Sequence, residues 1–292
     1  MSRCVVTGGC GFIGGHLVDR LVLDNHDVTV IDDLSAPEND YFHFNNDAKY
    51  IKEDISKTDC SDVFSGIDYV FHLAARSRIQ PTIDNPGRCF EVNLIGTQRV
   101  LEWSRKNYVK KLIYSGTSSL YGHQNVPPFT PNMPTDCLNP YSMSKWMGER
   151  VCELYYQIYG FNSICLRYFN VYGPREPLKG QYAPVIGLFK RQIKNKKPMT
   201  IVGDGEQRRD FTYIEDVIAS NILASTSDID FGIYNVGTGK NYSINQISEM
   251  IGSDKIFISE RPAEVRETLA NIDDTISDLG WRPTVDIRDV IN

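Results

Sequence analysis

The chain reads as an α/β fold, a doubly wound parallel sheet with helices on both faces and a smaller C-terminal lobe. Three observations carry this reading. Short, continuously apolar, β-branched runs alternate with longer segments of helical period, the pattern of a parallel sheet buried on both faces. The first of these runs passes through a glycine cluster, "VVTGGCGFIGGHLV" at 5–18, directly into a helical segment, as a strand-turn-helix loop does. After Gly173 the texture shifts to loops and Pro/Gly punctuation, in "VYGPREPLKGQYAP", "IVGDGEQRRDF" and "NVGTGKN", which marks a second lobe.

In chain order the strands are "RCVV", "VTVI", "KYI", "YVFH", "KLIYS" and "SICLRYF", and helices are predicted over 12–24, 89–106 and 142–159. The sheet domain spans 1–172. The lobe spans 173–292, with some of its segments expected to return to the main sheet. No internal repeat or low-complexity linker separates the two, so the lobe is expected to pack directly on the sheet.

Composition excludes several classes. With 292 residues, 41% hydrophobic and 23% charged, the chain has ordinary globular values. A net charge of −6 leaves no basic footprint for nucleic acid. The seven cysteines are scattered, odd in number and form no CxxC pair, which favours reduced thiols over disulfides or zinc, so no metal is expected. There is no leader-like start and no run of about 18 apolar residues. A soluble, cytoplasmic protein without a membrane partner is expected.

Gly8, Gly11 and Gly14 are spaced three apart, and Gly9, Gly11 and Gly14 also satisfy GxGxxG. Such a loop needs one glycine for the turn, one for close approach of a pyrophosphate and one for helix-on-strand packing. Asp32 follows 18 residues after Gly14 at the end of "VTVI", where a carboxylate accepts the ribose hydroxyls of NAD and repels the 2′-phosphate of NADP. Tyr141 and Lys145 lie one helical turn apart. That pair alone is unspecific and gains meaning from "IYSGTSSLYG" at 113–122, a hydroxyl cluster at a strand end, where open α/β sheets bind ligands. A lysine ammonium beside the phenol is expected to lower its pKa and make Tyr141 a base near neutrality, with Thr117 sharing a hydrogen bond to the same substrate oxygen.

The segments "TGGCGFIG", "IDDLS", "EDI", "HLAA", "EVNLIGT", "YSMSK", "LRYFNVYGPR", "GDGEQRRDFTYIEDV" and "YNVGTG" stand in order over nearly the whole chain. On them the chain resembles the extended short-chain dehydrogenase/reductase superfamily and, within it, the NAD-dependent nucleotide-sugar epimerase/dehydratase group, most like the 4-epimerases of UDP-glucose, UDP-galactose and UDP-GlcNAc. The resemblance implies a Rossmann-type sheet holding NAD. It places Phe12, Ile13 and Asp33 with the glycines and Asp32 around the cofactor, Asp54 and Ile55 beside the adenine, and Leu73, Ala74, Ala75 and Tyr168 along the cofactor. Asn93 and Ser115 would support its middle, and Tyr141 with Lys145 its nicotinamide ribose. For Asn93 the rival reading is satisfaction of a neighbouring backbone group.

Relatives that eliminate water carry Thr-Asp-Glu at the strand end, and the decarboxylases a Glu near it. Here stand Thr117, Ser118 and Ser119, which leaves epimerisation. The resemblance then implies that Tyr141 takes the sugar 4-OH proton, that a transient 4-keto sugar turns over, and that NAD is regenerated. Ser118, Asn170, Arg209, Arg261 and Glu264 match positions that hold the UDP-sugar, while Tyr182 with Val185 and the stretch 200–202 frame the uracil. Thr268 matches a gate where a small residue admits an N-acetyl group. Arg76 and Arg78 depart from the family pattern and keep a uronate substrate open, as do decarboxylation, epimerisation at another carbon and a non-catalytic NAD-binding role. A homodimer through the helices carrying Asn93 and Tyr141 is expected, with Val100, Leu101, Trp103, Trp146, Met147, Val151 and Leu154 as candidate contacts.

Overall fold

The structure, a computed structural model, describes residues 1–36, 42–178, 184–252, 254–260 and 265–291. Its centre is a seven-stranded parallel sheet. The strands are β1 (Arg3–Thr7), β2 (Asp27–Ile31), β3 (Lys49–Ile51), β4 (Tyr69–His72), β5 (Lys111–Thr117), β6 (Ser163–Tyr168) and, from beyond Gly173, Phe231–Val236. Their spatial order is β3-β2-β1-β4-β5-β6 and then Phe231–Val236. Strand order reverses between β1 and β4, so the connections leave a crevice at the carboxyl ends of the strands. The register aligns those ends: Thr7 stands beside Ile31 and His72, and Thr117 beside Tyr168.

The apolar runs are continuous because successive residues serve opposite faces. Val6, Phe71, Ile113 and Ile164 enter one core with Leu17 and Val18. Their neighbours Val5, Val70, Leu112 and Cys165 enter the other. A third core joins Tyr172 to Ile186, Phe189, Met199, Ile201, Ile244 and Ile247 from beyond Gly173. The seven cysteines are free, and among the described residues no helix is long and apolar enough to cross a membrane.

The helices that bear the site are α1 (Phe12–Leu23), α2 (Ile79–Asp84), α3 (Pro86–Phe90), α4 (Gly96–Lys106) and α5 (Pro140–Tyr159). The helix expected over 89–106 begins at Pro86 and is interrupted by a π turn, Glu91–Ile95. Helix α5 begins two residues earlier than its apolar period predicts. Asn139 and Ser142 form a reciprocal capping box around it, and Pro140 occupies its first turn. The buried Arg167 guanidinium of β6 grips both oxygens of Glu149 at 2.8–3.2 Å, which locks α5 to the sheet. Of the residues expected at a two-fold interface, Val100, Leu101 and Trp103 are buried in the chain's own core, whereas Leu154 is exposed on α5.

Candidate active site

A cavity of about 880 Å³ follows the carboxyl ends of the strands and continues into the lobe. At one end lies the glycine loop. Gly8 has φ +72°, and a Cβ there would stand 2.7–2.9 Å from the backbone of Leu73 and Ala74. At Gly14 a Cβ would meet the Gly8 carbonyl oxygen at 2.1 Å. Only glycine permits this closeness. No side chain caps α1 at Gly11, so the first N–H groups of the helix are left for a ligand phosphate. Phe12, Ile13, Leu73, Ala74, Ala75, Ser115 and Tyr168 line the same space. Asp32 accepts the backbone N–H of Cys10 and of Leu34, one on each oxygen at 2.9 Å. Each oxygen keeps a lone pair for a ribose hydroxyl. Burial raises this carboxyl's pKa, and the two N–H bonds oppose the rise. The cradle that a Cβ would fill, the uncapped helix end and this half-buried carboxylate fit a dinucleotide.

Asp33, Asp54 and Ile55 also line the cavity. Arg88 pairs with Asp54 and reaches Ser56 Oγ at 2.9 Å and Glu91 at 2.7 Å. Asn93 is not at the cavity wall. It is 1% exposed, accepts the Arg76 N–H at 2.7 Å and donates to the Arg76 carbonyl at 3.1 Å and to Ser144 Oγ at 2.9 Å. Its side chain satisfies the backbone groups of Arg76, as the rival reading of this residue has it.

Thr117 ends β5 and contacts Ser119 Oγ at 2.9 Å. Tyr141, one residue into α5, lines the cavity with Thr117. The expectation that Lys145 lowers the Tyr141 pKa is overturned. Burial of the phenol raises it, and the nearby Thr117 hydroxyl and the charge of Arg78 oppose the rise. The Lys145 ammonium lies over the Tyr114 ring, 4.4 Å from its centroid. Desolvation lowers its own pKa to about 8, although Glu149 pulls the other way.

Ser118, Asn170, Val185, Arg209 and Thr268 line the lobe end, together with Thr200 and Val202. Thr268 Oγ1 accepts from Asn170 Nδ2 and from the Asp210 N–H, both at 3.2 Å. Asp210 is fully buried and takes donors from Thr238, Gly239 and Ala270, which fixes the strand that presents Arg209. Tyr182, Arg261 and Glu264 lie outside the described residues. The two unexpected arginines separate. Arg76 reaches the Ser35 carbonyl at 3.2 Å and stands 3.9 Å from Asp33. Arg78 bears electrostatically on Tyr141 and Glu176.

Glu176 escaped the sequence reading, for within "GPREPL" nothing distinguishes it from a surface acid. It lines the cavity, is 6% exposed and accepts the Gly187 N–H at 3.2 Å. Burial raises its pKa to about 7, against the N–H bonds of Gly187 and Gly173 and the charges of Arg78 and Lys190. Because the folded pKa exceeds the ordinary 4.5, stability falls as pH rises from about 4.5 through 7, by about 3 kcal/mol in all. Glu176→Gln, which imitates the neutral acid, is expected to be more stable than wild type by about that amount at pH 8 and equal to it near pH 4. Denaturant melts at the two pH values check this, and a pH-independent difference would refute it.

A family model described as the NAD dependent epimerase/dehydratase family matches residues 4–237. A UDP-glucuronate 4-epimerase of Thermodesulfobacterium geofontis is 34% identical, over 99% of this chain and 94% of its own length. A UDP-glucose 4-epimerase of Mycolicibacterium smegmatis is 30% identical, over 99% and 96%. Among solved structures, UDP-N-acetylglucosamine 4-epimerase from Methanobrevibacter ruminantium M1, in complex with UDP-N-acetylmuramic acid, superposes with a TM-score of 0.93 at 34% identity, covering 99% of this chain and 96% of that one.

Proposed function

Since the chain belongs to the NAD-dependent epimerase/dehydratase family, we propose that it inverts C4 of a UDP-hexose, UDP-glucose/UDP-galactose and UDP-GlcNAc/UDP-GalNAc, through a transient 4-keto sugar. The observation that carries this reading is that Thr117, Tyr141 and Lys145 line the same cavity as the glycine cradle. NAD held by Gly8, Gly11, Gly14 and Asp32 supplies reversible hydride exchange with the sugar carbon.

The chain's own part is proton movement and orientation. Tyr141 takes the 4-OH proton as the carbon is oxidised and returns it on reduction, and Thr117 holds the reacting oxygen in line with the phenol. The charge of Arg78 and the nearby Thr117 hydroxyl favour the phenolate against the cost of burial. Arg209 and Asn170 hold the diphosphate and sugar, as do Arg261 and Glu264 in the resemblance. Thr117, Ser118 and Ser119 place no carboxylate at the strand end, which favours epimerisation over loss of water. The free thiols support a cytoplasmic protein, and Ile95, Leu154 and Ile158, exposed on the outer side of the π turn and α5, support pairing as a homodimer.

Proton NMR of the purified protein on UDP-galactose and UDP-GalNAc, without added NAD, tests the reading. The C4 epimer is the expected product in both, and silence on both with NAD bound would overturn it. A uronate is the second reading, favoured by the charge that Arg78 brings to Tyr141, and UDP-glucuronate in the same assay decides it.

Thr268 sets the sugar class in this proposal. Thr268→Tyr is expected to cut turnover of UDP-GalNAc at least 100-fold and that of UDP-galactose less than threefold. Thr268→Val isolates the loss of the bonds from Asn170 and Asp210. Equal loss of both sugars in the tyrosine variant, beyond that of the valine variant, would overturn the assignment.

A further inference from the structure

The "HLAA" segment contributes Leu73, Ala74 and Ala75 to the cavity wall, but its histidine points elsewhere. His72 is wholly buried at the end of β4. Its Nδ1 lies 2.7 Å from Thr7 Oγ1 and its Nε2 2.8 Å from Thr97 Oγ1. Thr97 Oγ1 stands 2.6 Å from the Asn93 carbonyl, and the Ala74 N–H lies 3.3 Å from Thr7 Oγ1.

Proton counting gives this chain one direction. A carbonyl can only accept, so the single Thr97 hydroxyl proton goes to Asn93. Thr97 must then accept from His72, which puts a proton on Nε2. The other end is an amide that can only donate, so Thr7 accepts from Ala74 and gives its own proton to Nδ1. The order is Ala74 N–H to Thr7 to His72 to Thr97 to Asn93 C=O, with every donor used.

We propose that His72 is a positioning residue, a neutral imidazole protonated on Nε2 that holds the dinucleotide loop in register with the helix bearing Tyr141 and Lys145. This rests on the reading of Tyr141 as the proton carrier. At one end of the chain Thr7 immediately precedes Gly8, and Ala74 lines the cofactor cavity. At the other, Asn93 sits in the π turn, a widened turn often found at functional sites. The Asn93 amide donates to Ser144 Oγ at 2.9 Å, and Ser144 Oγ donates to the Tyr141 carbonyl at 2.8 Å. Three segments distant in sequence thus set the start of α5 relative to the glycine loop.

A second proton on the ring would leave the Thr7 hydroxyl proton without its acceptor and place a charge in a fully buried site. The titratable groups facing the ring are Lys145 of α5, whose charge disfavours protonation, and Tyr114 of β5, its ring centroid 5.8 Å away. Thr7 from β1 and Thr97 from α4 are uncharged. Burial and Lys145 push the imidazole down to about 3, in accord with the proton count.

Two experiments on the NAD-loaded protein test this. Long-range proton–nitrogen NMR with 15N-labelled histidine, His72 being identified by the signal missing in His72→Phe or, should that variant not fold, by its failure to exchange with solvent, is expected to show neutral Nε2–H imidazole unchanged from pH 5.5 to 8. An imidazolium in that range, or Nδ1–H, would overturn the proposal whether or not the protein is an epimerase. Thr97→Val removes the hydroxyl at nearly constant volume, and Thr97→Ser restores it. The valine variant is expected to lose at least tenfold in kcat with KM for the UDP-sugar within twofold, and the serine variant to stay within threefold of wild type. Equal kcat in all three, or equal loss in both variants, would show that the hydroxyl chain does not position the site.

Discussion

Tyr141→Phe is expected to lower kcat about 10³-fold while leaving the fold and bound NAD in place. In the proposed reaction the phenol exchanges a proton with the sugar hydroxyl, and a positioned acid–base group contributes about 10²–10⁴ in rate. A loss of 10³ corresponds to about 4 kcal/mol in the barrier. The ring remains, so only the hydroxyl is lost, and the melting temperature is expected to move by a few degrees at most. A second signature follows from the raised phenol pKa. The reactive form is the phenolate, so wild-type kcat/KM is expected to climb with pH through neutrality, a slope that the Tyr141→Phe variant cannot show. A variant retaining a tenth of wild-type kcat would remove Tyr141 from the proton path.

Lys145→Met is expected to abolish turnover and yet stabilise the protein near neutrality. The ammonium is buried, and its pKa falls from 10.5 to about 8. The folded chain therefore binds this proton less tightly than the unfolded chain. Its cost is present in full below pH 8 and fades between about 8 and 10.5. The shift amounts to about 3 kcal/mol, from which the lost contact with the Tyr114 ring subtracts about 1 kcal/mol. Methionine is apolar and of similar reach, so a net gain of about 2 kcal/mol at pH 7 is expected, shrinking by pH 10. Denaturant melts of both proteins freed of NAD read it directly. A destabilised variant at pH 7 would mean that the ammonium is better solvated or paired than its surroundings indicate.

The sheet and the dinucleotide loop were legible in the sequence because they are written in short windows. The alternating sides of β1, where Val5 and Val6 enter different cores, follow from the pleat alone. Gly8 and Gly14 follow from a turn that tolerates no Cβ. The capping box at Asn139 and Ser142, which fixes the start of α5, is equally local and could have been read. Tertiary packing alone decided what depends on segments far apart. Asn93 stands behind the cavity wall because the Arg76 backbone, 17 positions away, needs its amide. Arg76 and Arg78 are two residues apart, yet one faces Asp33 and the other bears on Tyr141. The direction of the Tyr141 shift was misread because Y-x-x-x-K spacing encodes a shared helix face but neither the burial of the phenol nor the Tyr114 ring beneath the lysine. Spacing determines which side chains can share a face; desolvation and partners from other strands determine their charge state, and those exist only once the chain has folded.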